Sequence, residues 1–188
     1  MRKLGVFNTV SVDGYFTDAN GSMNWAHNTR PDAEWDAFVS GNASGGGMLL
    51  FGRITYDLMA SFWPTPMAAK NMPTVAEGMN RMPKAVFSRT MDAASWSNTK
   101  VLKGDLATEV RKLKSEPGPD MVILGSGSII SQLAPEGVID EYQIVTAPLA
   151  LGAGRTMFDG AKKALKLSLQ KTRSFANGNV VSWYEPVA

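Results

Sequence analysis

The chain alternates between short apolar runs and longer segments in which apolar residues recur every three or four positions. The first pattern is typical of buried β-strands and the second of amphipathic helices. Strands are predicted over residues 3–12, 48–51, 85–87, 101–102 and 121–124. Helices are predicted after Pro31, after Arg53, over residues 73–82, after Asp105 and from Ile129.

The pattern changes after residue 134, where strands at residues 142–146, 165–169 and 180–184 follow one another without helices. Asn177-Gly178 favours a two-residue hairpin turn between the last two strands. Strands that alternate with helices form parallel sheets, whereas hairpin strands are antiparallel. The predicted fold class is therefore α/β: a three-layer α-β-α fold with a mixed sheet, mainly parallel with a C-terminal antiparallel hairpin, in one domain over residues 1–188.

The amino-acid composition excludes several kinds of active site. The 188 residues include no cysteine and one histidine, His27. Thiol nucleophiles and disulfides are excluded, and no metal site is predicted. No apolar stretch approaches the roughly 18 residues of a membrane helix, and a net charge of +2 is small for a nucleic-acid-binding surface. We therefore expect a soluble, cytoplasmic protein that binds neither membranes nor nucleic acid.

Three of the predicted strands end in small, hydroxyl-bearing or basic residues. Arg53 and Thr55 follow the second strand, Ser88 and Arg89 follow the third, and the glycine-rich turn at residues 125–128 follows the fifth. Because ligands bind at the carboxyl ends of strands in open parallel sheets, these three ends are expected to line one crevice. Backbone N–H groups and arginines at such a place favour a phosphate-rich ligand. The turn lacks the G-x-G-x-x-G spacing of a standard dinucleotide fold.

Several short motifs, in order along the chain, resemble the dihydrofolate reductase superfamily, especially its branch shared with the reductase domain of the bifunctional riboflavin-biosynthesis enzyme. They are SVDG at 11–14, FGRITY at 51–56, VFSRT at 86–90, GSGSI at 125–129, and DEY at 140–142 leading to PLALGAG at 148–154. Each motif is short, but together they span nearly the whole chain.

This resemblance implies a nicotinamide-dependent reductase with NADPH as the donor. The residues implied in cofactor binding surround its phosphates: Gly52, Arg53, Thr55, Ser88, Arg89, Gly125, Ser126, Gly127, Ser128 and Ile129. Residues 21–25 resemble the mobile loop that closes over the nicotinamide, which implies that Met23 and Trp25 contact substrate. Asp32 is implied as a third substrate-binding residue. A small heterocyclic substrate, pterin-like or pyrimidine-like, and a homodimer are implied as well.

The proton donor is matched less closely. Glu34 precedes Phe38 by four residues, as the catalytic acid precedes an aromatic residue in dihydrofolate reductases, and Asp32 is the next match. Both also suit the first turn of a helix, which favours acids. Asp13 is a third candidate because riboflavin-type enzymes share its S-x-D-G turn, although Asp-Gly is an ordinary turn sequence too. A true dihydrofolate reductase and a non-catalytic nucleotide-binding module remain alternatives to a riboflavin-type reductase.

Overall fold

The computed structural model describes residues 1–27, 30–161 and 163–187. The strands are β1 Leu4–Ser11, β2 Tyr15–Thr17, β3 Met48–Gly52, β4 Lys84–Phe87, β5 Thr99–Leu102, β6 Met121–Leu124, β7 Glu141–Ala147, β8 Arg155–Thr156, β9 Leu167–Ser174 and β10 Val180–Pro186. The α-helices are α1 Ala33–Ser44, α2 Arg53–Phe62, α3 Pro66–Asn71, α4 Pro73–Arg81, α5 Leu106–Ser115 and α6 Gly127–Leu133. Within these residues no helix is long and apolar enough to cross a membrane.

Eight strands form one sheet in the order β5-β4-β3-β6-β1-β7-β10-β9. The six strands from β5 to β7 are parallel, while β10 runs antiparallel to both β7 and β9. Strands β2 and β8 form a separate antiparallel pair. The predicted mixed sheet, mainly parallel with a C-terminal antiparallel hairpin, is confirmed.

Helices cover both faces of the sheet, and β3 and β4 are accordingly buried on both sides. On one face Leu50 and other buried strand residues pack with Val110 of α5 and Ile130 of α6. On the opposite face Phe51 packs with Tyr56 of α2 and Met79 of α4. Further along this second face, α1 covers β1, β7 and β10 through aromatic residues. This arrangement is the predicted three-layer order.

Local signals explain where the helices begin. The Asp105 carboxylate accepts a hydrogen bond from the Thr108 N–H and caps α5, as its sequence position predicts. In α1 the capping residue is Asp32, so the prediction that Pro31 takes the first helical position is wrong by two residues. Thr65 caps α3 in the same way, and Pro66 occupies its first turn. This helix was not predicted, because the prolines there indicate the end of the preceding helix.

The C-terminal hairpin also differs in detail. Phe175 and Asn179 pair through their backbones, and the Gly178 N–H donates to the Phe175 carbonyl. The connection therefore has three residues rather than two, with Gly178 at φ 94°. Strand β9 begins at Leu167 and runs to Ser174, later and longer than predicted. The tip of this hairpin lies beside the end of β7, since a Cβ on Gly178 would come within 2.9 Å of Pro148.

Candidate active-site crevice

The structure places three of the predicted site segments at one edge of the sheet. β4, β3 and β6 are neighbours, with Gly52 in register with Phe87 and Leu50 in register with Ile123. Because the three strands are parallel, their carboxyl ends open at the same edge. The expected crevice would therefore be bordered by the starts of α2 and α6 and by the turn that follows β4.

The glycine turn, residues 125–128, is tied to the start of α2. The Gly52 N–H donates to the Ser126 hydroxyl at 2.9 Å, and the Ser126 N–H donates to the Thr55 hydroxyl at 3.1 Å. Ser126 adopts a left-handed conformation with φ 57°, and Gly125 has φ 65°. These contacts give the side chains of Thr55 and Ser126 a structural role between the two helix ends.

The backbone of the glycine turn is closely packed from behind. A Cβ on Gly125 would lie 2.7 Å from a methyl carbon of Thr55, and one on Gly127 would lie 3.2 Å from the ring of Phe16. The Ile129 N–H already donates to the Ser126 carbonyl. The N–H groups of Gly127 and Ser128 precede this first hydrogen bond of α6, so these two backbone groups suit a ligand best.

Two exposed arginines flank the crevice. Arg53 is the first residue of α2 and Arg89 lies in the turn after β4. The Ser88 hydroxyl accepts hydrogen bonds from the Thr90 and Met91 N–H groups and so fixes this turn. The pKa of Asp105 is lowered mainly by hydrogen bonds from Thr108, and also by the nearby positive charge of Arg111 and of Arg89. Arg53 and Arg89 therefore add positive charge to an edge where helix N-termini already favour anions.

The loop at residues 21–25 is folded onto the protein. Met23 packs against the main core, and the Trp25 ring N–H donates to the Ser22 carbonyl at 3.1 Å. The Asp18 carboxylate accepts hydrogen bonds from the N–H groups of Asn20 and Ser22. Trp25 is half-buried within a short 3₁₀ turn over Asn24–Ala26.

Two of the three acidic candidates lie at the start of α1 and contact the C-terminal hairpin. The Asp32 carboxylate accepts hydrogen bonds from Glu34, Trp35 and Asn177 N–H groups. The hydrogen bond from Asn177 is the largest cause of the lowered pKa of Asp32. Asp32 thus joins α1 to the hairpin. The Glu34 side chain is 78% exposed and forms an ion pair with Arg173 at 2.9 Å.

Asp13, the third acidic candidate, lies in the turn after β1 and contacts the segment that follows β7. Its carboxylate accepts hydrogen bonds from the Ser11 hydroxyl at 2.5 Å and from the N–H groups of Leu151 and Gly152. The bond from Ser11 and then those from Gly152 and Leu151 lower its pKa to about 2. The lowered pKa makes this carboxyl group harder to protonate than a free aspartate, and its oxygens already accept the three hydrogen bonds. The structure therefore assigns Asp13 to holding the loop after β7.

Asn8 is a site residue that sequence reasoning missed. Its side chain is buried, and its amide nitrogen donates to the Gly125 carbonyl at 3.1 Å and contacts the Met157 sulfur at 3.4 Å. The available signal was a polar residue at an inward-facing position of β1, in phase with Leu4 and Val6. Across the described residues no group of three or more histidine, aspartate or glutamate side chains is arranged to hold a metal ion.

The strand order, the C-terminal hairpin and the glycine turn at the sheet edge define a protein of the dihydrofolate reductase-like class. Residues 2–181 match the family described as RibD C-terminal domain, and the chain belongs to that family. The predicted resemblance is confirmed. YyaP of Bacillus subtilis (strain 168), an uncharacterized protein, is 28% identical over 171 residues, which cover 91% of this chain and 88% of YyaP.

Two solved structures support the fold. A protein of Shewanella sp. PV-4 named for riboflavin biosynthesis is 23% identical with a TM-score of 0.72, and the match covers 99% of both chains. A diaminohydroxyphosphoribosylaminopyrimidine deaminase/5-amino-6-(5-phosphoribosylamino)uracil reductase from Thermotoga maritima is 14% identical with a TM-score of 0.69. That match covers 99% of this chain and 57% of the bifunctional protein.

Proposed function

We propose that this protein is an NADPH-dependent reductase of a small pterin-like or pyrimidine-like heterocycle. The observation that carries the proposal is the meeting of the glycine turn with Arg53 and Arg89 at three adjacent strand ends. Membership of the RibD C-terminal domain family supports it, since the Thermotoga maritima structure with the same fold includes a reductase in its name.

The residues of the crevice fit the phosphates of a dinucleotide. The N–H groups of Gly127 and Ser128 would hold the pyrophosphate, because they lie at the start of α6 and are not used by its first hydrogen bonds. Arg53 and Arg89 would hold the 2′-phosphate that distinguishes NADPH from NADH. Thr55, Ser126, Ser88, Gly52 and Ile129 would support these groups through the contacts described above. When bound, the cofactor supplies the hydride.

The substrate would lie on the opposite side of the crevice, beside the ends of β1 and β7. Met23 and Trp25 are the residues of the folded loop that would cover it and exclude water. Among the three acids, Glu34 is the one whose carboxylate accepts no backbone N–H group from the residues that the structure describes. Its exposed ion pair with Arg173 can open at small cost, so we propose Glu34 as the group that delivers a proton to substrate.

The cofactor assignment is tested by titrating the protein with NADPH and NADH while tryptophan fluorescence is followed. Tighter binding of NADPH is expected, and Arg53→Ala and Arg89→Ala should each remove most of that preference, roughly tenfold for one charge-assisted contact. Arg81→Ala is the matched control, because this exposed arginine ends α4 just before β4 begins and so lies at the amino-terminal ends of the strands. Equal affinities for the two cofactors in the unchanged protein would contradict the assignment.

The reaction is tested by following NADPH oxidation with a panel of pterins and phosphoribosylated aminopyrimidines. Turnover of an aminopyrimidine that Glu34→Gln reduces at neutral pH supports the proposal. Turnover of dihydrofolate instead would identify a true dihydrofolate reductase. NADPH binding without turnover of any member would favour a non-catalytic nucleotide-binding module.

We also propose that the protein forms a homodimer. Exposed apolar side chains on α2 and α3 support this, because Ile54 is 82% exposed and Met67 and Leu58 are more than half exposed. Sedimentation at several protein concentrations would test it. A single species with the mass of one chain at all concentrations would contradict it.

A further inference from the structure

Two segments that follow neighbouring parallel strands are joined into one unit beside the crevice. Residues 11–18 follow β1 and residues 149–157 follow β7, and we call this joined pair the clasp. Direct backbone pairing between them is short. Tyr15 pairs with Thr156 and Thr17 with Arg155, while the Val12 N–H donates to the Leu149 carbonyl at 2.8 Å.

Asp13 is the main polar link within the clasp. It accepts the Leu151 N–H at 3.0 Å and the Gly152 N–H at 2.7 Å, across about 138 residues of sequence. The Ser11 hydroxyl, which donates to Asp13, also accepts the Tyr15 N–H at 2.9 Å. One carboxylate and one hydroxyl therefore fix both segments at once.

The clasp packs directly against the glycine turn. The Phe16 ring and the Met157 carbonyl lie where a side chain on Gly127 would have to go, at 3.2 and 3.6 Å from its Cβ position. Asn8 connects the same two parts through the Gly125 carbonyl and the Met157 sulfur. A shift of residues 149–157 would therefore move the support behind Gly125 and Gly127.

We infer that Asp13 is a positioning residue for the glycine turn, acting through the clasp rather than by touching a ligand. The inference rests on the proposed function only where it concerns NADPH. By fixing Phe16 and Met157 behind the turn, Asp13 keeps the Gly127 and Ser128 N–H groups in one arrangement. Loss of the carboxylate should therefore loosen the turn and weaken dinucleotide binding at a distance.

The first test needs no cofactor. Hydrogen exchange would be measured at the Ser126, Ile129 and Ile130 amides, whose N–H groups are hydrogen-bonded within the turn or to Thr55. Asp13→Asn should speed their exchange relative to the unchanged protein. Asp120→Asn is the matched control, since that carboxylate accepts the Lys3 N–H at the opposite edge of the sheet. It should leave the three amides unchanged.

The second test measures NADPH affinity for the same variants. Asp13→Asn should weaken NADPH binding roughly tenfold, within the usual range for coupled sites, while Asp120→Asn has no effect. If the unchanged protein does not bind NADPH but Asp13→Asn still speeds exchange at the turn, the proposed function fails and the positioning role stands. If exchange at the turn is the same in Asp13→Asn and the unchanged protein, the positioning role is overturned. Should Asp13→Asn not fold, Ser11→Ala removes only the hydroxyl and is judged by the same two outcomes.

Discussion

Lys84 leads to a specific prediction about stability at alkaline pH. Its side chain is fully buried at the start of β4, where the ammonium group donates to the carbonyls of Asn80, Met82 and Ser97. It also lies 4.4 Å from the centre of the Trp96 ring. No carboxylate pairs with it in the described part of the chain. Burial therefore lowers the pKa of Lys84 from 10.5 to about 8.

The direction of the pH dependence follows from this pKa. Between pH 8 and 10.5 the unfolded chain holds a proton on Lys84 that the folded protein has released, so raising the pH favours folding. Below pH 8 Lys84 is charged in both the folded and the unfolded chain, and burial of this charge lowers the free energy of unfolding by its full amount. This destabilisation disappears as the pH rises to 10.5. Because a tenfold change in proton affinity corresponds to about 1.4 kcal/mol, the contribution to the free energy of unfolding is about 3 kcal/mol.

The assay is urea unfolding at several pH values between 7 and 10.5, with Lys84→Met and Lys100→Met as variants. Lys100 is an exposed lysine on β5, in register with Ala85, and so controls for the loss of one lysine. Relative to Lys84→Met, the unchanged protein should gain stability steadily above pH 8, whereas Lys100→Met should follow the unchanged protein. A constant or falling difference between the unchanged protein and Lys84→Met would refute this reasoning.

Three further predictions concern the glycine turn, a helix cap and acid stability. Gly125→Ala should lower the free energy of unfolding by about 2 kcal/mol and weaken NADPH binding, because the new Cβ would meet Thr55 and the φ of residue 125 is positive. Urea unfolding measures the stability, and fluorescence titration measures the NADPH affinity. Gly41→Ala, a helical position with open space, is its control and should be neutral or slightly stabilising. Asp105→Ala should lower the midpoint of urea unfolding by removing the cap of α5, and an unchanged midpoint would contradict that cap. Since the pKa of Asp13 is lowered from 3.8 to about 2, its stabilising contribution is complete above pH 4 and is lost between pH 4 and 2. The stability of Asp13→Asn should therefore fall less steeply with pH in that range than the stability of the unchanged protein. Identical acid-unfolding curves would contradict this contribution of Asp13.

Much of the fold was predictable because its signals are local. The Asp105 cap, the glycines after α1 and the apolar strand at residues 121–124 each lie within a few residues of the element that they define. The short pair β2 and β8 was not predicted, since two or three residues per strand carry no usable periodicity. Helix α3 was missed because a proline such as Pro66 can mark either the start of a helix or the end of the helix before it.

In the candidate site, the position of each segment is predictable from the sequence, but the partners of its side chains are not. Strand ends and glycines predict that the three candidate segments lie together, because the carboxyl ends of neighbouring parallel strands meet at one side of the sheet. The partners of individual side chains depend on contacts between distant residues. Thr55 reaches Ser126, Asn8 reaches Gly125 and Asp13 reaches Gly152 across 71 to 139 residues. Only the folded chain shows that Asp13 holds a loop and that Ser126 supports the turn.

The proposed cofactor site can be tested by crystallising the protein with NADPH. We expect the pyrophosphate to contact the N–H groups of Gly127 and Ser128 and the 2′-phosphate to lie between Arg53 and Arg89. Asp13 should contact Leu151 and Gly152 and not the ligand. A dinucleotide bound elsewhere, or bound with Arg53 and Arg89 directed to solvent, would contradict it.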